Sequence, residues 1–411
     1  MLQRFFIPTF SSMCPAWVLT CLLSACMVPS TSLAQSWGPR NLAALKLEAQ
    51  TRADRKLPPV DHVGSEDMRT ALSNIQSLNP DEWANAFMAI GDEYVKQADQ
   101  VLKTEPAIAA QKYKQAWEVY NAARWPTENS DRKKVAYQKA LAAFVQYGQL
   151  LTPKMEVVRF PFDGKEVVAY LRLPTGVRPA PLLFAISGLD TRKEDMVVTN
   201  DLFLKNGVGI FAIDQPGTGQ SPFKIDVGSE RVFSAALDFL QTRTDVDAKR
   251  IVVRGQSWAG YWAAIMGYTE KDRIRGTVVH GVGIHGYFSS QWQDKGLATE
   301  EYLFDLLPAR AAVYGVQTRE EFLAYGPRMS LLTQGFLDKP SAPMLLINGL
   351  KDTQQPIDDL FLLMSHGDPK DVWMNPAGGH MGRSSQWSAP QITEKVVLPW
   401  VLRKLQIGAK N

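Results

Sequence analysis

The chain has 411 residues, of which 45% are hydrophobic, and a formal net charge of +3 at pH 7. This length and apolar content are sufficient to build one large α/β domain together with a smaller unit, but do not by themselves establish the fold class. A charge near zero, without clusters of basic and aromatic residues, speaks against a nucleic-acid partner.

The first 34 residues are typical of a signal peptide. Arg4 precedes a short apolar core, and Ser32-Leu33-Ala34 predicts cleavage after Ala34. Leu23-Ser24-Ala25-Cys26 predicts instead a lipoprotein signal ending before Cys26, which would carry the lipid. Both alternatives predict an exported protein, periplasmic or secreted in the first case. Contact with a membrane is expected only if the chain is lipid-anchored at Cys26.

All three cysteines, Cys14, Cys21 and Cys26, precede Ser32. The apolar core of the signal segment is too short and too interrupted for a membrane span. After cleavage the chain has no disulfide, so its stability has to come from core packing.

Residues 37–150 have the periodicity of helices. Asn79-Pro80 is typical of a helix start. Large apolar residues recur every three or four positions, in three stripes: Trp83, Phe87, Ile90, Tyr94, Ala98 and Val101; Tyr113, Trp117 and Tyr120; Tyr137, Leu141 and Phe144. We expect an all-helical region that packs against the following domain. Residues 51–66, with Pro58-Pro59, predict a loop.

From residue 154 the pattern changes to strands that alternate with helices. Met155 to Phe162 and Glu166 to Leu173 predict two strands joined in a hairpin at Asp163-Gly164. Ser229 to Thr242 is typical of an amphipathic helix. Alternation of this kind predicts an α/β fold with a mostly parallel sheet over residues 154–408.

Residues 287–340 interrupt this alternation between the sixth and seventh predicted strands. The segment is rich in aromatic residues, and Tyr287, Phe288 and Trp292 are predicted to line a substrate pocket. Few charges lie among these residues, which disfavours a highly anionic substrate. The alternative interpretation is an ordinary pair of packed helices.

Ser257 is the candidate nucleophile. It lies in Gly255-Gln256-Ser257-Trp258-Ala259, between an apolar strand-like run and a helix-like run. Small residues two positions before and after such a serine let strand and helix approach closely around a strained turn. The alternative is an ordinary serine between a strand and a helix.

Asp352 and His380 are the candidate acid and base. Asp352 follows the predicted buried strand that starts at Pro343, and His380 lies in a glycine-flanked loop after the predicted strand Val372-Trp373-Met374. Ser, Asp and His in this order are typical of an α/β-hydrolase. His380 would take the proton of Ser257, and Asp352 would fix the tautomer of His380.

The other histidines have plainer interpretations. His62 and His366 are predicted to lie at the surface. His280 and His285 belong to the sixth predicted strand and its exit, where hydrogen-bonded sheet residues are expected. A metal pair is the alternative there, but no third ligand has zinc-like spacing, and we expect no metal.

The other candidate acids also have structural interpretations. Asp214 precedes a glycine-rich turn, whose backbone it is predicted to hydrogen-bond. Asp358 and Asp359 fall at a helix start, where carboxylates favour the helix dipole.

Two backbone amides are predicted to form an oxyanion hole. One belongs to Trp258, directly after the candidate nucleophile. The other belongs to Leu189 or its neighbour, in the loop after the third predicted strand, where Gly188 lets the chain bend towards the substrate. This chemistry requires no metal and no organic cofactor.

Three motifs resemble the FrsA-like esterases, the branch of the α/β-hydrolase superfamily that includes 2,6-dihydropseudooxynicotine hydrolase: Ser187-Gly188-Leu189-Asp190 with Lys193-Glu194, Asp214-Gln215-Pro216-Gly217-Thr218-Gly219, and Gly255-Gln256-Ser257-Trp258-Ala259-Gly260. With similar helical residues upstream, the resemblance covers roughly residues 80–405. It implies a serine hydrolase with Ser257, Asp352 and His380 as triad, acting on esters or on carbon–carbon bonds next to a carbonyl. Trp258, and Ala259 in place of a commoner glycine, depart from several members.

We therefore expect an exported serine hydrolase that cleaves carboxylic esters with an apolar or aromatic portion. The alternative enzyme is a carbon–carbon bond hydrolase of β-dicarbonyl compounds. An alternative from another class is a catalytically silent binding protein with a hydrolase fold. The expected partner is a small-molecule ester or ketone, and a homodimer is left open.

Overall fold

The computed structural model describes residues 40–298 and 300–407 of the chain. The predicted signal segment, with Ala34 and Cys26, lies outside the described residues, so its cleavage and lipidation stay predictions. Within the described ranges, no helix has the length and apolar character needed to cross a membrane.

From residue 40 onwards, five helices precede the first strand: α1 (Leu42–Asp54), α2 (Ser65–Ser73), α3 (Pro80–Val101), α4 (Pro106–Arg124) and α5 (Asp131–Leu150). Asn79 caps α3 as predicted, because its side chain accepts a hydrogen bond from the Asp81 amide at 2.9 Å. The loop predicted over residues 51–66 is shorter in the structure, because α1 continues to Asp54 and α2 begins at Ser65. Buried Ala53 and Met68 hold these helix ends through tertiary packing.

Eight strands form one sheet: β1 (Glu156–Phe162), β2 (Lys165–Arg172), β3 (Ala180–Ile186), β4 (Gly209–Ile213), β5 (Val246–Gln256), β6 (Gly276–His280), β7 (Met344–Gly349) and β8 (Asp371–Asn375). Their order across the sheet is β1-β2-β4-β3-β5-β6-β7-β8. The β1–β2 and β2–β4 pairs are antiparallel and the other pairs of these eight strands are parallel, so β2 runs opposite to the rest. The predicted α/β-hydrolase fold with a mostly parallel sheet is confirmed.

Ten further α-helices follow: α6 (Lys193–Thr199), α7 (Asp201–Lys205), α8 (Arg231–Gln241), α9 (Gly260–Thr269), α10 (Ser290–Leu297), α11 (Leu306–Tyr314), α12 (Arg319–Tyr325), α13 (Ile357–Met364), α14 (Ala389–Ile392) and α15 (Leu398–Lys404). A π-helical turn, Thr393–Val397, joins the last two. Helices α10, α11 and α12 fall within residues 287–340, which we call the cap.

The N-terminal helices share one hydrophobic core with the sheet. Phe144 of α5 stacks on Tyr170 of β2, with ring centroids 5.7 Å apart. The N-terminal helical region also contacts the cap, since Trp125, directly after α4, stacks on Tyr302 with ring centroids 5.4 Å apart. The Lys133 ammonium lies 2.6 Å from the Asp305 carboxylate. The helical region therefore packs on both the sheet and the cap.

Candidate active site

Ser257 lies where β5 ends and the chain turns into α9. Its φ of 56° is in the left-handed region, which is sparsely populated by residues other than glycine. A Cβ on Gly255 would lie 1.8 Å from the Ala259 carbonyl oxygen, and one on Gly260 equally close to the Gly281 carbonyl oxygen. Glycine is therefore required at both positions, while Ala259 fits.

The structure brings Ser257, His380 and Asp352 into one hydrogen-bonded chain. Ser257 Oγ lies 2.7 Å from His380 Nε2, and His380 Nδ1 lies 2.9 Å from Asp352 Oδ2. They come from the ends of β5, β8 and β7, which lie at one edge of the parallel part of the sheet. Since the carboxylate only accepts, these partners assign the proton to Nδ1 and leave Nε2 to accept from the serine hydroxyl.

The Asp352 carboxylate is stabilised in its charged form. Burial alone would raise the pKa of Asp352, but the adjacent His380 imidazole and the backbone amides of Gln354 and Gln355 outweigh burial and lower it below its ordinary value. Those two amides donate to the second carboxylate oxygen at 2.8 and 3.1 Å. Asp352 therefore carries a negative charge beside His380 at neutral pH.

The residues of the two predicted oxyanion donors, Trp258 and Leu189, line one cavity. Trp258 lies within the 3₁₀ turn Ser257–Ala259, and such early helical amides lack carbonyl partners within the turn. The Gly188 amide already donates to Thr191 Oγ1 at 2.8 Å, whereas no loop or side-chain acceptor of the described residues binds the Leu189 amide. Leu189 is therefore the better donor in this loop.

A small cavity of about 10 Å³ lies between these residues and the cap. The following residues line it: Leu189, Trp258, Tyr287, Gln293, Arg310, Val313, Tyr314 and Phe322. Tyr287 is thus placed where the sequence predicted, while Phe288 and Trp292 lie outside the lining. Phe288 is fully buried against Tyr261, and Trp292 Nε1 donates to the Gln354 carbonyl at 3.0 Å.

Sequence reasoning missed Arg310 in this lining. The available signal was an arginine within the otherwise apolar helix α11. Periodicity alone does not tell whether such a side chain turns outwards or into a cavity.

Sequence reasoning also underestimated Asp359. Its buried carboxylate accepts hydrogen bonds from the amides of residues 284–287, at 2.6–3.1 Å. Burial raises the pKa of Asp359 despite these bonds. Asp359 therefore fixes the loop that carries Tyr287 into the cavity, which is a larger role than the predicted interaction with the dipole of α13.

The other histidines do not meet in one site. His285 Nδ1 bonds Ser330 Oγ at 2.7 Å, while His280 is buried beside Arg254. His62 and His366, predicted at the surface, are half-buried. Among residues 40–298 and 300–407, no group of three or more His, Cys, Asp or Glu side chains could hold a metal ion.

Asp214 has the structural contacts predicted for it. Its carboxylate accepts from the Gln220 amide at 3.0 Å and from Lys193 Nζ at the same distance. Burial alone would raise its pKa, but the Lys193 and Arg192 charges lower it below the ordinary value.

A larger cavity of about 330 Å³ lies away from Ser257. It is lined at the starts of β7 and β8, where Met344 and Asp371 lie. Ser257 lies at the carboxyl end of the parallel strands, so this cavity belongs to the opposite edge of the sheet.

Residues 72–385 match the family described as Esterase FrsA-like. Esterase FrsA of Vibrio vulnificus is 25% identical over 295 residues, which are 70% of this chain and 69% of the relative. Esterase FrsA of Vibrio cholerae serotype O1 is 26% identical over 309 residues, 72% of each chain.

Two solved structures share the fold. The structure of 2,6-dihydroxy-pseudo-oxynicotine hydrolase superposes with a TM-score of 0.69 at 19% identity, covering 85% of this chain and 94% of that chain. AbyA5 wildtype superposes with a TM-score of 0.67 at 20% identity, covering 89% and 95%.

Proposed function

The chain belongs to the FrsA-like esterase family and is a hydrolase, and from that premise we propose that Ser257 is its nucleophile, with His380 as general base and Asp352 as the residue that orients His380. The single observation that carries this proposal is the hydrogen-bonded chain at 2.7 and 2.9 Å that ends on Ser257 at the strained turn. No metal or organic cofactor takes part.

The reaction follows from these positions. Ser257 Oγ attacks the ester carbonyl while His380 takes its proton, and the oxyanion accepts hydrogen bonds from the Trp258 and Leu189 amides. His380 then gives the proton to the leaving alkoxide, so an alcohol departs and the acyl group stays on Ser257. A water attacks the acyl group with His380 again as base, and the carboxylic acid leaves. The Asp352 charge stabilises the imidazolium that forms in each half.

The cavity supports an ester with an apolar or aromatic portion. Trp258, Tyr287, Tyr314 and Phe322 contribute four of its eight lining side chains. A volume of about 10 Å³ holds roughly one water molecule. Cap residues therefore have to move to admit a substrate. A peptide would need more polar partners for its amides than this lining offers.

We test the nucleophile with a fluorophosphonate, which reacts with an activated serine. We expect labelling of the wild type at Ser257, located by mass spectrometry, and no labelling of Ser257→Ala. Ser365→Ala, which removes an exposed hydroxyl at the end of α13, is the matched control and should label normally. An unlabelled wild type would favour the binding protein with a silent hydrolase fold.

We also propose that the protein is exported. Support comes from the signal segment predicted over residues 1–34 and from the position of every cysteine within it. Mass spectrometry of the mature N terminus distinguishes a free Gln35 from a lipidated Cys26, and an unprocessed Met1 would contradict export.

A further inference from the structure

Arg310 is buried in the cap without an anion. It belongs to α11, where apolar residues surround it in sequence, and only 6% of its surface is exposed. Within the described residues, no carboxylate lies within 4.0 Å of its guanidinium nitrogens. A buried guanidinium without a counter-charge is costly, so the position requires an explanation.

The few contacts of Arg310 orient its guanidinium without satisfying it. Nη1 donates to Gln293 Oε1 at 3.2 Å, and the guanidinium carbon lies 5.9 Å from the Tyr287 ring centroid. Nε is buried and has no acceptor. Nη2 donates to no atom of the part of the chain that the structure describes. Gln293 is itself buried and held by the Tyr287 carbonyl.

Four other buried cations have more polar partners than Arg310. Lys133, Lys193 and Arg192 each have a carboxylate within 3.0 Å. Arg254 has none, but its two terminal nitrogens make three hydrogen bonds, to Asn200, His280 and Thr393. The terminal nitrogens of Arg310 make one. Arg310 is thus less satisfied than these other buried cations.

The cavity lined by Trp258, the residue that follows Ser257, is where the missing acceptor fits. Arg310 is the one charged residue among the eight that line it, and Trp258 and Leu189, next to the reacting bond, line it too. The indole nitrogen of Trp258 is also buried without an acceptor. Two lining residues of one cavity therefore carry donors that no described protein atom uses.

We propose that Arg310 determines specificity by binding a carboxylate of the substrate that is separate from the ester group. The inference rests on the proposed function, because it takes Ser257 as the place of hydrolysis. One guanidinium matches one carboxylate, which it can bind through two parallel hydrogen bonds. A phosphate dianion or a polyanion would require further cations that the lining does not contain. The aromatic lining then receives the apolar body of the same substrate.

Two matched pairs of substrates test this proposal. The first is 4-nitrophenyl hydrogen adipate and its methyl ester, which differ by one charge on the acyl side. The second is 4-carboxyphenyl butyrate and its methyl ester, which differ on the leaving-group side. The measured quantity is the ratio of kcat/KM within each pair, compared between wild type and Arg310→Gln, so that intrinsic reactivity cancels.

We expect Arg310→Gln to lower the ratio of acid to methyl ester at least fivefold in one pair. Arg319→Gln removes another cap arginine, which pairs with Asp294 and is partly exposed, and should leave both ratios within about twofold. This control separates a contact from the general charge of the cap. A change smaller than fivefold in both pairs overturns the proposal.

Binding to Ser257→Ala gives a second measurement that needs no arginine variant. This protein should hold each substrate intact, and calorimetry should show at least fivefold tighter binding of the acid than of the methyl ester in one pair. Equal binding in both pairs overturns the inference even if Arg310→Gln does not fold. If Ser257→Ala hydrolyses the methyl esters as well as wild type, the proposed function fails first, and this inference with it.

Discussion

His280 Nε2 lies 3.0 Å from the carbonyl oxygen of Met381, the residue that follows His380. On its other side, Arg254 donates to His280 Nδ1 at 3.2 Å. These partners assign the neutral Nε2–H tautomer, in which His280 donates to the carbonyl. Burial, followed by the Arg254 charge, holds the pKa of His280 well below its ordinary value. A neutral histidine at the end of β6 thus anchors the loop that carries the candidate base.

Acidification should therefore destabilise the protein through His280. Above pH 6.5 the side chain is neutral in both states. Below that pH the unfolded chain takes up a proton that the folded chain does not, so stability is lost as pH falls. Between pH 6 and pH 5, wild type should lose up to about 1.4 kcal/mol of unfolding free energy per pH unit more than His280→Gln. Urea denaturation measures this difference.

The control for this prediction is His280→Asn. This variant also removes the ionisable ring, so its pH slope should match that of His280→Gln. Equal slopes in wild type and His280→Gln would show that His280 is protonated alike in both states.

Ser257→Ala and His380→Ala should each lower kcat for an aryl ester at least about a thousandfold, with the fold intact by circular dichroism. The two side chains act as one unit, so the double variant should be scarcely slower than either single variant. If the two losses simply multiplied, the side chains would contribute independently.

Asp352→Asn should lower kcat at least about a hundredfold, because an amide can present a hydrogen to Nδ1 and favour the wrong tautomer. Asp358→Asn, an exposed carboxylate in α13, is the control and should retain wild-type kcat. Wild-type activity in Asp352→Asn would mean that another carboxylate serves His380.

The buried pair of Lys133 and Asp305 should couple the helical region to the cap. Lys133→Met leaves the Asp305 carboxylate buried without its cation, which typically costs about 3–5 kcal/mol of unfolding free energy. Lys134→Met removes an exposed neighbour and should cost little. Adding Asp305→Asn to Lys133→Met should restore part of the loss. Urea denaturation of wild type, Lys133→Met, Lys134→Met, Asp305→Asn and the double variant tests this, and additive losses in the two single variants would contradict coupling.

We expect the protein to hydrolyse esters more efficiently than it cleaves β-diketones. Both reactions would use the same proposed nucleophile and oxyanion donors, but an aryl oxide is a better leaving group than an enolate carbon. We expect a higher kcat/KM for an aryl ester than for an aromatic β-diketone of similar size, and little hydrolysis of peptides. A preference above about a hundredfold for the diketone would reverse the proposed order.

Sequence order and periodicity were sufficient to predict the fold and the meeting of Ser257, Asp352 and His380. Alternating strands and helices have a regular period, and parallel strands place their carboxyl ends at one edge of the sheet. A residue just after such a strand is therefore located without knowledge of packing. The glycines around Ser257 added a local signal, because close backbone approach excludes larger side chains.

Tertiary structure alone decided which polar side chains turn inwards. Arg310 was one arginine in an apolar helix, and Lys133 and Asp305 lie 172 residues apart in sequence. His280 and Met381 are likewise distant along the chain. Periodicity describes one helix or strand at a time, whereas burial and pairing of these groups depend on how the helical region, the sheet and the cap pack together.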